Sequence, residues 1–337
     1  MGTNNKQKYE RLEGMFLFAD LVGSMECANY YSPEDYNTLL SQFHDHFWNT
    51  ISSLDDYAYF KDLGSGEIRA AGDEVSLFLP ARENIATILS VALVFKTSWL
   101  ISETNLSRIK DGKPPIDVAI GINMGPIVKG PRSGWSRENG LSKDFGLGME
   151  GLAISLAKRL ETFGREGLFS RIMVGQTVAD YLLRNRMPYQ FHPHGKIEVK
   201  GFSQGIPIYE LKTCWSYMLF YRGHKPKGFS EKIERIMGTD PTNAWYYLWM
   251  ADSLALDREY KTADRFAYLA LKYDSENAQA CLIRAEAALW RQDYEAAKKY
   301  FNMAVHLGGD GFVRSASSDI AFDGQKRFKD FDKISPP

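Results

Sequence analysis

Cysteine, histidine and net charge are all scarce in this chain. Its 337 residues include three cysteines and six histidines, and the formal charge is −1. Cys27, Cys214 and Cys281 are far apart and odd in number. That excludes a disulfide framework and the paired spacing of a zinc site, and leaves reduced thiols as the expectation. A balance so close to neutral lacks the basic footprint of a nucleic-acid binder or a polybasic membrane anchor. Long apolar runs are also missing. The longest, around Ile85 to Phe95, is broken by Thr87 and Ser90; it is too short to span a bilayer and reads as a buried helix. The first eight residues, Met1 to Lys8, are polar with no apolar core. No signal peptide is indicated, and a cytoplasmic location is expected.

What is present is ordinary for a soluble globular protein: 44% apolar and 25% charged residues, in a chain long enough for two cores. Residues 14–21 read as a strand. Ser32-Pro33-Glu34-Asp35 is a helix start with Ser32 as N-cap, leading an amphipathic stretch to about Ile51. Tyr57–Lys61 and Glu67–Leu79 flank Leu63-Gly-Ser-Gly66, a hairpin signal. A helix is expected over about 83–101. Strands are expected at 117–122 and 126–128 about a Gly125 turn, and a Gly/Ser/Arg-rich loop over 130–146. A helix at about 150–163, a strand at 171–174, a helix from Thr177 and strands at 196–200 and 206–211 complete the series. His192 and His194 are placed in a loop around Pro193. The alternation predicts an α+β fold, a largely antiparallel sheet with helices against it.

After Leu211 the strand signals stop. Residues 212–229 read as a linker, 230–310 as helices and 311–337 as a tail. Ala251, Ala263, Ala270 and Tyr260 recur as Ala285, Ala297, Ala304 and Tyr294, each shifted by 34 residues. Small residues at helix crossings with that period resemble tetratricopeptide repeats. Two such units are few for an independent array, so they are expected to pack on the first domain, a second chain or a partner.

Two aspartates stand at the polar ends of apolar strands. Asp20 follows Met15-Phe-Leu-Phe-Ala19, and Asp73 precedes Val75-Ser-Leu-Phe-Leu79. Brought together on neighbouring strands, two carboxylates can hold a pair of divalent ions against a triphosphate. Glu74, beside Asp73, is assigned to the opposite strand face by simple alternation and read as a structural or solvent-facing charge.

Taken together, Phe18-Ala-Asp-Leu-Val-Gly-Ser24, Ala71-Gly-Asp73, Ala119-Ile-Gly-Ile-Asn-Met-Gly125, Gly151 through Glu161, and Val199-Lys-Gly201 resemble the catalytic domain of class III nucleotidyl cyclases over about residues 12–211. The resemblance implies a ferredoxin-like α+β fold and cyclisation of a nucleoside triphosphate with loss of pyrophosphate. It implies two divalent ions, Mn²⁺ or Mg²⁺, and a homodimer with active sites between subunits. It assigns Asp20 and Asp73 to the metals and Arg159 to the charge on the transferring phosphoryl group. Ser155, one turn before Arg159 on the same helix face, stands where the family usually has asparagine, and its reach is shorter. Lys200 matches a basic contact to the β- and γ-phosphates, while the family's second lysine is here Phe202.

Base recognition departs from the family. Adenylate cyclases carry a lysine three residues before the Gly-Asp glycine and an aspartate three residues before the glycine of the helix motif; guanylate cyclases carry a glutamate at the first position. Here these positions are Arg69 and Gly148. Arginine only donates, so it cannot accept from guanine N1–H. Glycine removes the acceptor for an exocyclic amine. Uracil, with O2 and O4 both accepting, suits that pair best. The pattern is similar to the pyrimidine cyclases of the bacterial Pycsar anti-phage system, in which a separate effector with a cyclic-nucleotide-binding domain senses the product. Cytosine or adenine as the base, and a silent nucleotide-binding scaffold, remain the alternatives.

Overall fold

The computed structural model describes residues 9–53, 67–80, 85–133, 144–198, 205–214 and 227–317. Among them an eight-stranded sheet runs in the order β2-β3-β1-β4-β6-β8-β7, with β5 on β4. The strands are β1 (Glu10–Leu21), β2 (Glu67–Ala71), β3 (Glu74–Pro80), β4 (Val118–Ser133), β5 (Asp144–Glu150), β6 (Ile172–Gly175), β7 (Phe191–Ile197) and β8 (Ile206–Leu211). All pairings are antiparallel except β4 with β6. The helices are α1 (Ser24–Tyr30), α2 (Pro33–Ser53), α3 (Ile85–Leu100), α4 (Glu103–Lys110), α5 (Leu152–Gly164) and α6 (Gln176–Arg184). Five more follow the sheet: α7 (Phe229–Thr239), α8 (Ala244–Leu256), α9 (Tyr260–Tyr273), α10 (Ala278–Trp290) and α11 (Tyr294–Ser317). The α+β architecture is as expected.

Period-2 alternation sorts β1 into two faces. Met15, Leu17, Ala19 and Leu21 join Val75, Leu77 and Leu79 against Phe43 and Phe47 of α2 and Ile88 and Phe95 of α3. Phe16 turns the other way, with Phe78, Ile127 and the α5 residues Ala153 and Ala157. α3 explains the long apolar run. The Ile85–Lys110 stretch is apolar enough to cross a membrane by length and composition, yet 72% of its most apolar window is buried in this fold; it is a core helix.

Three elements differ from the sequence reading. The two strands expected about Gly125 are one strand, Val118–Ser133, because β1 pairs continuously along it from Leu21↔Val118 to Glu10↔Lys129. The stretch 67–79 is two strands, turned at Gly72-Asp73, where Gly72 adopts φ +63. His192 and His194 lie on β7, whose register shifts between Pro193 and Gly195, and His194 Nε2 lies 2.8 Å from Glu210 Oε2. The Leu63–Gly66 hairpin signal lies outside the described residues.

After β8 the described helices begin at Phe229, and residues 215–226 of the expected linker lie outside the described residues. The pairs α8–α9 and α10–α11 start 34 residues apart, at Ala244 and Ala278, and at Tyr260 and Tyr294. They pack on the sheet domain, one of the three placements expected, and share its core. Lys212 Nζ bonds Asp274 Oδ1 at 2.8 Å, Cys214 N donates to Gln279 Oε1 at 2.8 Å, and Gln279 Nε2 donates to Asp252 Oδ1 at 3.0 Å, all buried. Gln190 brackets Glu276 O (2.6 Å) and Ala278 N (2.9 Å).

Candidate active site

The site is built on one face of β2, β3 and β1. Residues paired across an antiparallel sheet point the same way, so three rows align. They are Ala71–Glu74–Asp20, Arg69–Ser76–Phe18 and Phe78–Phe16. Successive rows are about 7 Å apart, two residues along a strand. The first row carries carboxylates. Phe16, Phe18, Arg69, Ala71, Glu74, Ser76 and Phe78 line a cavity of about 190 Å³, joined by Met149 of β5 and Ile154 of α5.

α5 lies beside the carboxylate row because β4 has glycine beneath it. A Cβ on Gly121 would run into the backbone of Ala157 and Glu161. The close approach brings Lys158, Glu161 and Arg165, successive turns of one helix face, to the end of β1. Arg165 Nη2 bonds Asp20 Oδ2 at 2.7 Å and its Nε lies 3.3 Å from Glu161 Oε1. Lys158 Nζ bonds Glu161 Oε2 at 2.8 Å, pairs with Glu74, and lies 3.7 Å from Asp20 Oδ2. Asp20, Glu74 and Glu161 each offer an oxygen within 4.8 Å of the others.

The two aspartates singled out from sequence do meet, from different settings. Asp20 ends β1, buried; Asp73 sits in the β2–β3 turn and its backbone oxygen accepts from Leu21 N at 3.3 Å. His44 Nε2 lies 2.9 Å from Gly72 O and holds the same turn against α2. Burial raises Asp20 from 3.8 to about 7; the charges of Glu161 and Asp73 add to this, and Lys158 and Arg165 oppose it. Burial acts on Asp73 in the same direction, but hydrogen bonds from Ser24 and the backbone, together with the charge of Arg165, outweigh it and hold its carboxyl below the usual value. Ser24 Oγ donates to Asp73 Oδ2, and the Tyr36 hydroxyl of α2 is raised by burial beside these groups.

Asp20 Oδ1 is buried with no hydrogen-bond partner among the described residues. An orphaned carboxylate oxygen amid further carboxylates is the donor chemistry a hard divalent cation takes. The residues therefore fit a metal site, and sequence reasoning found only part of it. Glu74 is turned toward Asp20, not away. Asp73 belongs to the turn, so strand alternation starts at Glu74 and cannot be counted from Asp73. Glu161, Lys158 and Arg165 carried an i, i+3, i+7 charge pattern, the one signal that pointed to them.

The remaining candidates divide. Arg69 lines the cavity. Gly148 is on β5 opposite Gly130, next to the cavity-lining Met149. Ser155 and Arg159 share an exposed face of α5, and an Arg159 Nη1 hydrogen donates to Glu198 O at 3.1 Å. Arg159 is turned about 100° around the helix from Lys158, away from the carboxylates of its own chain. Lys200 lies outside the described residues.

Residues 6–213 match the model of the adenylate and guanylate cyclase catalytic domain, well over half the chain, and the chain belongs to that family. It is a nucleotidyl cyclase domain with helices appended. Among curated proteins no relative matches. Solved structures similar to it include the adenylyl cyclase CyaB from P. aeruginosa (19% identity, 61% of this chain and 96% of that one, TM-score 0.47). Others are the guanylyl cyclase Cya2 (19%, 60% and 92%, TM-score 0.44) and an adenylate/guanylate cyclase/hydrolase from Silicibacter pomeroyi (21%, 61% and 99%, TM-score 0.39).

Proposed function

We propose that the chain is a uridylate cyclase that converts UTP to 3′,5′-cyclic UMP and pyrophosphate. The 3′-hydroxyl attacks the α-phosphorus and pyrophosphate leaves. Asp20 and Asp73 would hold the two divalent ions, Mn²⁺ or Mg²⁺, with Glu74 and Glu161 converging on Asp20; the ions would neutralise the triphosphate and acidify the hydroxyl. Arg159 and Ser155 of α5, with Lys200, serve the site of a second copy of this chain, so the enzyme is a homodimer. The exposed placement of Ser155 and Arg159, facing away from the carboxylates of their own chain, supports that reading. We assign the helical hairpins to the tetratricopeptide type and the enzyme to the bacterial cytoplasm. There the product signals to a separate effector in anti-phage defence of the Pycsar kind.

The observation that carries the base assignment is the pairing of Arg69 in the cavity wall with Gly148 beside Met149. Arg69 as donor, with no side chain at position 148 to accept from an exocyclic amine, favours a base that presents carbonyls. A site with a missing partner rejects the wrong base because a buried polar group is left unpaired. Cytidylate and adenylate cyclase are the nearest enzyme alternatives. Incubating the purified chain with each of the four ribonucleoside triphosphates and Mn²⁺ tests all three by the cyclic product that forms. A second reading, a silent scaffold, has one observation in its favour: Lys158 and Arg165 already neutralise the carboxylates. It predicts no product from any of the four.

Mixing the Asp73→Ala and Arg159→Ala proteins tests the shared site. A heterodimer holds one intact site and one doubly damaged site, so two inactive proteins regain part of the activity. A mixture that stays inactive after proven subunit exchange rules out the shared arrangement.

A further inference from the structure

We propose that Lys158 is the resident counter-cation of the carboxylate cluster, which a divalent ion displaces in order to bind. The inference rests on the metal assignment made above, and concerns what sets the affinity at that site. Lys158 Nζ contacts Glu74 and Glu161 and lies 3.7 Å from Asp20 Oδ2, the same three residues whose oxygens converge within 4.8 Å. An ammonium and a divalent ion cannot both sit among those oxygens. The buried Asp20 Oδ1, with no partner, marks the position that the ammonium leaves unfilled.

The two cations around the cluster are not equivalent. Arg165 grips Asp20 and Glu161 from the C-terminal end of α5 with a planar fork, a fixed geometry. Lys158 is a point charge on a flexible stem. Its side chain is 41% exposed, so it can leave into solvent without crossing the core. It is also the only one of the two in contact with Glu74, across the opening between β3 and α5. Lys158 is therefore the movable half.

The test is Mn²⁺ binding to the purified full chain without nucleotide, read from free Mn²⁺ by electron paramagnetic resonance. Lys158→Gln tightens binding by about fivefold, the change that corresponds to about 1 kcal/mol for a half-exposed ion pair. Lys158→Arg, which keeps the charge, restores weaker binding. In a Glu74→Gln, Glu161→Gln background the Lys158→Gln effect shrinks, because the lysine has lost both of its anchors. Unchanged or weaker binding in folded Lys158→Gln protein overturns the proposal. So does a gain that persists in full in that background, which reports charge acting at a distance. Failure of the cyclase reading is distinguishable: Mn²⁺ then binds and responds to Lys158, but no triphosphate yields a cyclic product.

Discussion

At the seam between β8 and the helical hairpins, Lys212 and Asp274 are both buried and 2.8 Å apart, with Glu276 O as a further acceptor for the lysine. Gln279 there spends its amide on Cys214 and Asp252. At the β1–β3 face the same kinds of group are arranged differently. Lys158 and Arg165 are each 41% exposed, and Asp20 keeps an orphaned oxygen. The seam is buried, and its charges are paired within it, although Thr213 Oγ1 and Ser253 Oγ are left without a partner there among the described residues; the face keeps its cations within reach of solvent. Charged groups paired inside a closed interface fix one geometry. Carboxylates whose counter-cations reach solvent can exchange them for a ligand. The first region is built for permanence and the second for turnover.

The largest break in that comparison comes from the face. Asp20→Ala or Asp73→Ala abolishes cyclic-nucleotide formation, at least a hundredfold by analogy with loss of a charge-stabilising group, while the fold survives. Stability separates the two roles further. The Asp20 pKa is raised to about 7. Folding therefore favours its protonated form, and that contribution is present at low pH and lost as pH rises through about 7. Asp20→Asn consequently gains stability relative to wild type at pH 8 compared with pH 6, measured by urea denaturation in a chelator. Normal turnover in either alanine variant would remove the metal assignment.

The seam gives the next largest effect, in stability instead of rate. Lys212→Met strands a buried Asp274 and costs about 3 kcal/mol, read as a shift in the urea midpoint. Turnover per folded molecule stays close to wild type, because the pair touches nothing on the β1–β3 face. An unchanged midpoint would mean that the hairpins are loosely attached.

How much of this was readable in the chain follows the same division. Asp20, Asp73, Ser155 and Arg159 fall in contiguous motifs, and the strand placement of Asp20 and the helix placement of Ser155 and Arg159 follow from local pattern, whereas the turn that holds Asp73 lay inside a stretch read as one strand. The α+β order was legible for the same reason. Glu74 was misread because a turn resets strand phase, and local alternation does not reveal where a turn begins. The continuity of β4 through Gly125-Pro126 was hidden, since its cause is the partner strand β1 and not its own composition. Lys158, Glu161 and Arg165 become a site only once Gly121 lets α5 lie on β4. The seam was legible as a repeat but not as an interface, because buried Gln279 and Lys212 resemble surface residues until burial is known.

A smaller effect sharpens the picture of the cavity. Arg69→Ala lowers the rate with UTP more than any residual rate with other triphosphates. A bidentate contact to a base carbonyl discriminates by about 1–3 kcal/mol by analogy with base readout in nucleic acids, roughly tenfold to a hundredfold in kcat/KM. Gly148→Asp restores an acceptor and works against UTP. An equal slowing of all four triphosphates by Arg69→Ala would place the arginine outside base recognition.

The smallest expected effect lies between the two regions. Glu210 of β8 is fully buried and accepts from the backbone N–H of Leu168 (2.9 Å), Phe169 (2.8 Å) and Arg171 (2.7 Å), and from His194. It thereby fixes the loop that follows Arg165. Burial alone raises its pKa, but these hydrogen bonds outweigh burial and hold it below the ordinary 4.5. The stability it contributes is present above that ordinary value and is lost as pH falls through the lower folded value. His194→Ala removes one of the four donors and costs about 1 kcal/mol at neutral pH. The difference from wild type narrows as acid protonates the carboxylate, in urea titrations stepped downward from pH 7. A cost that stays constant across that range would mean that His194 acts through packing on His192, its T-shaped neighbour, and not through the charge of Glu210.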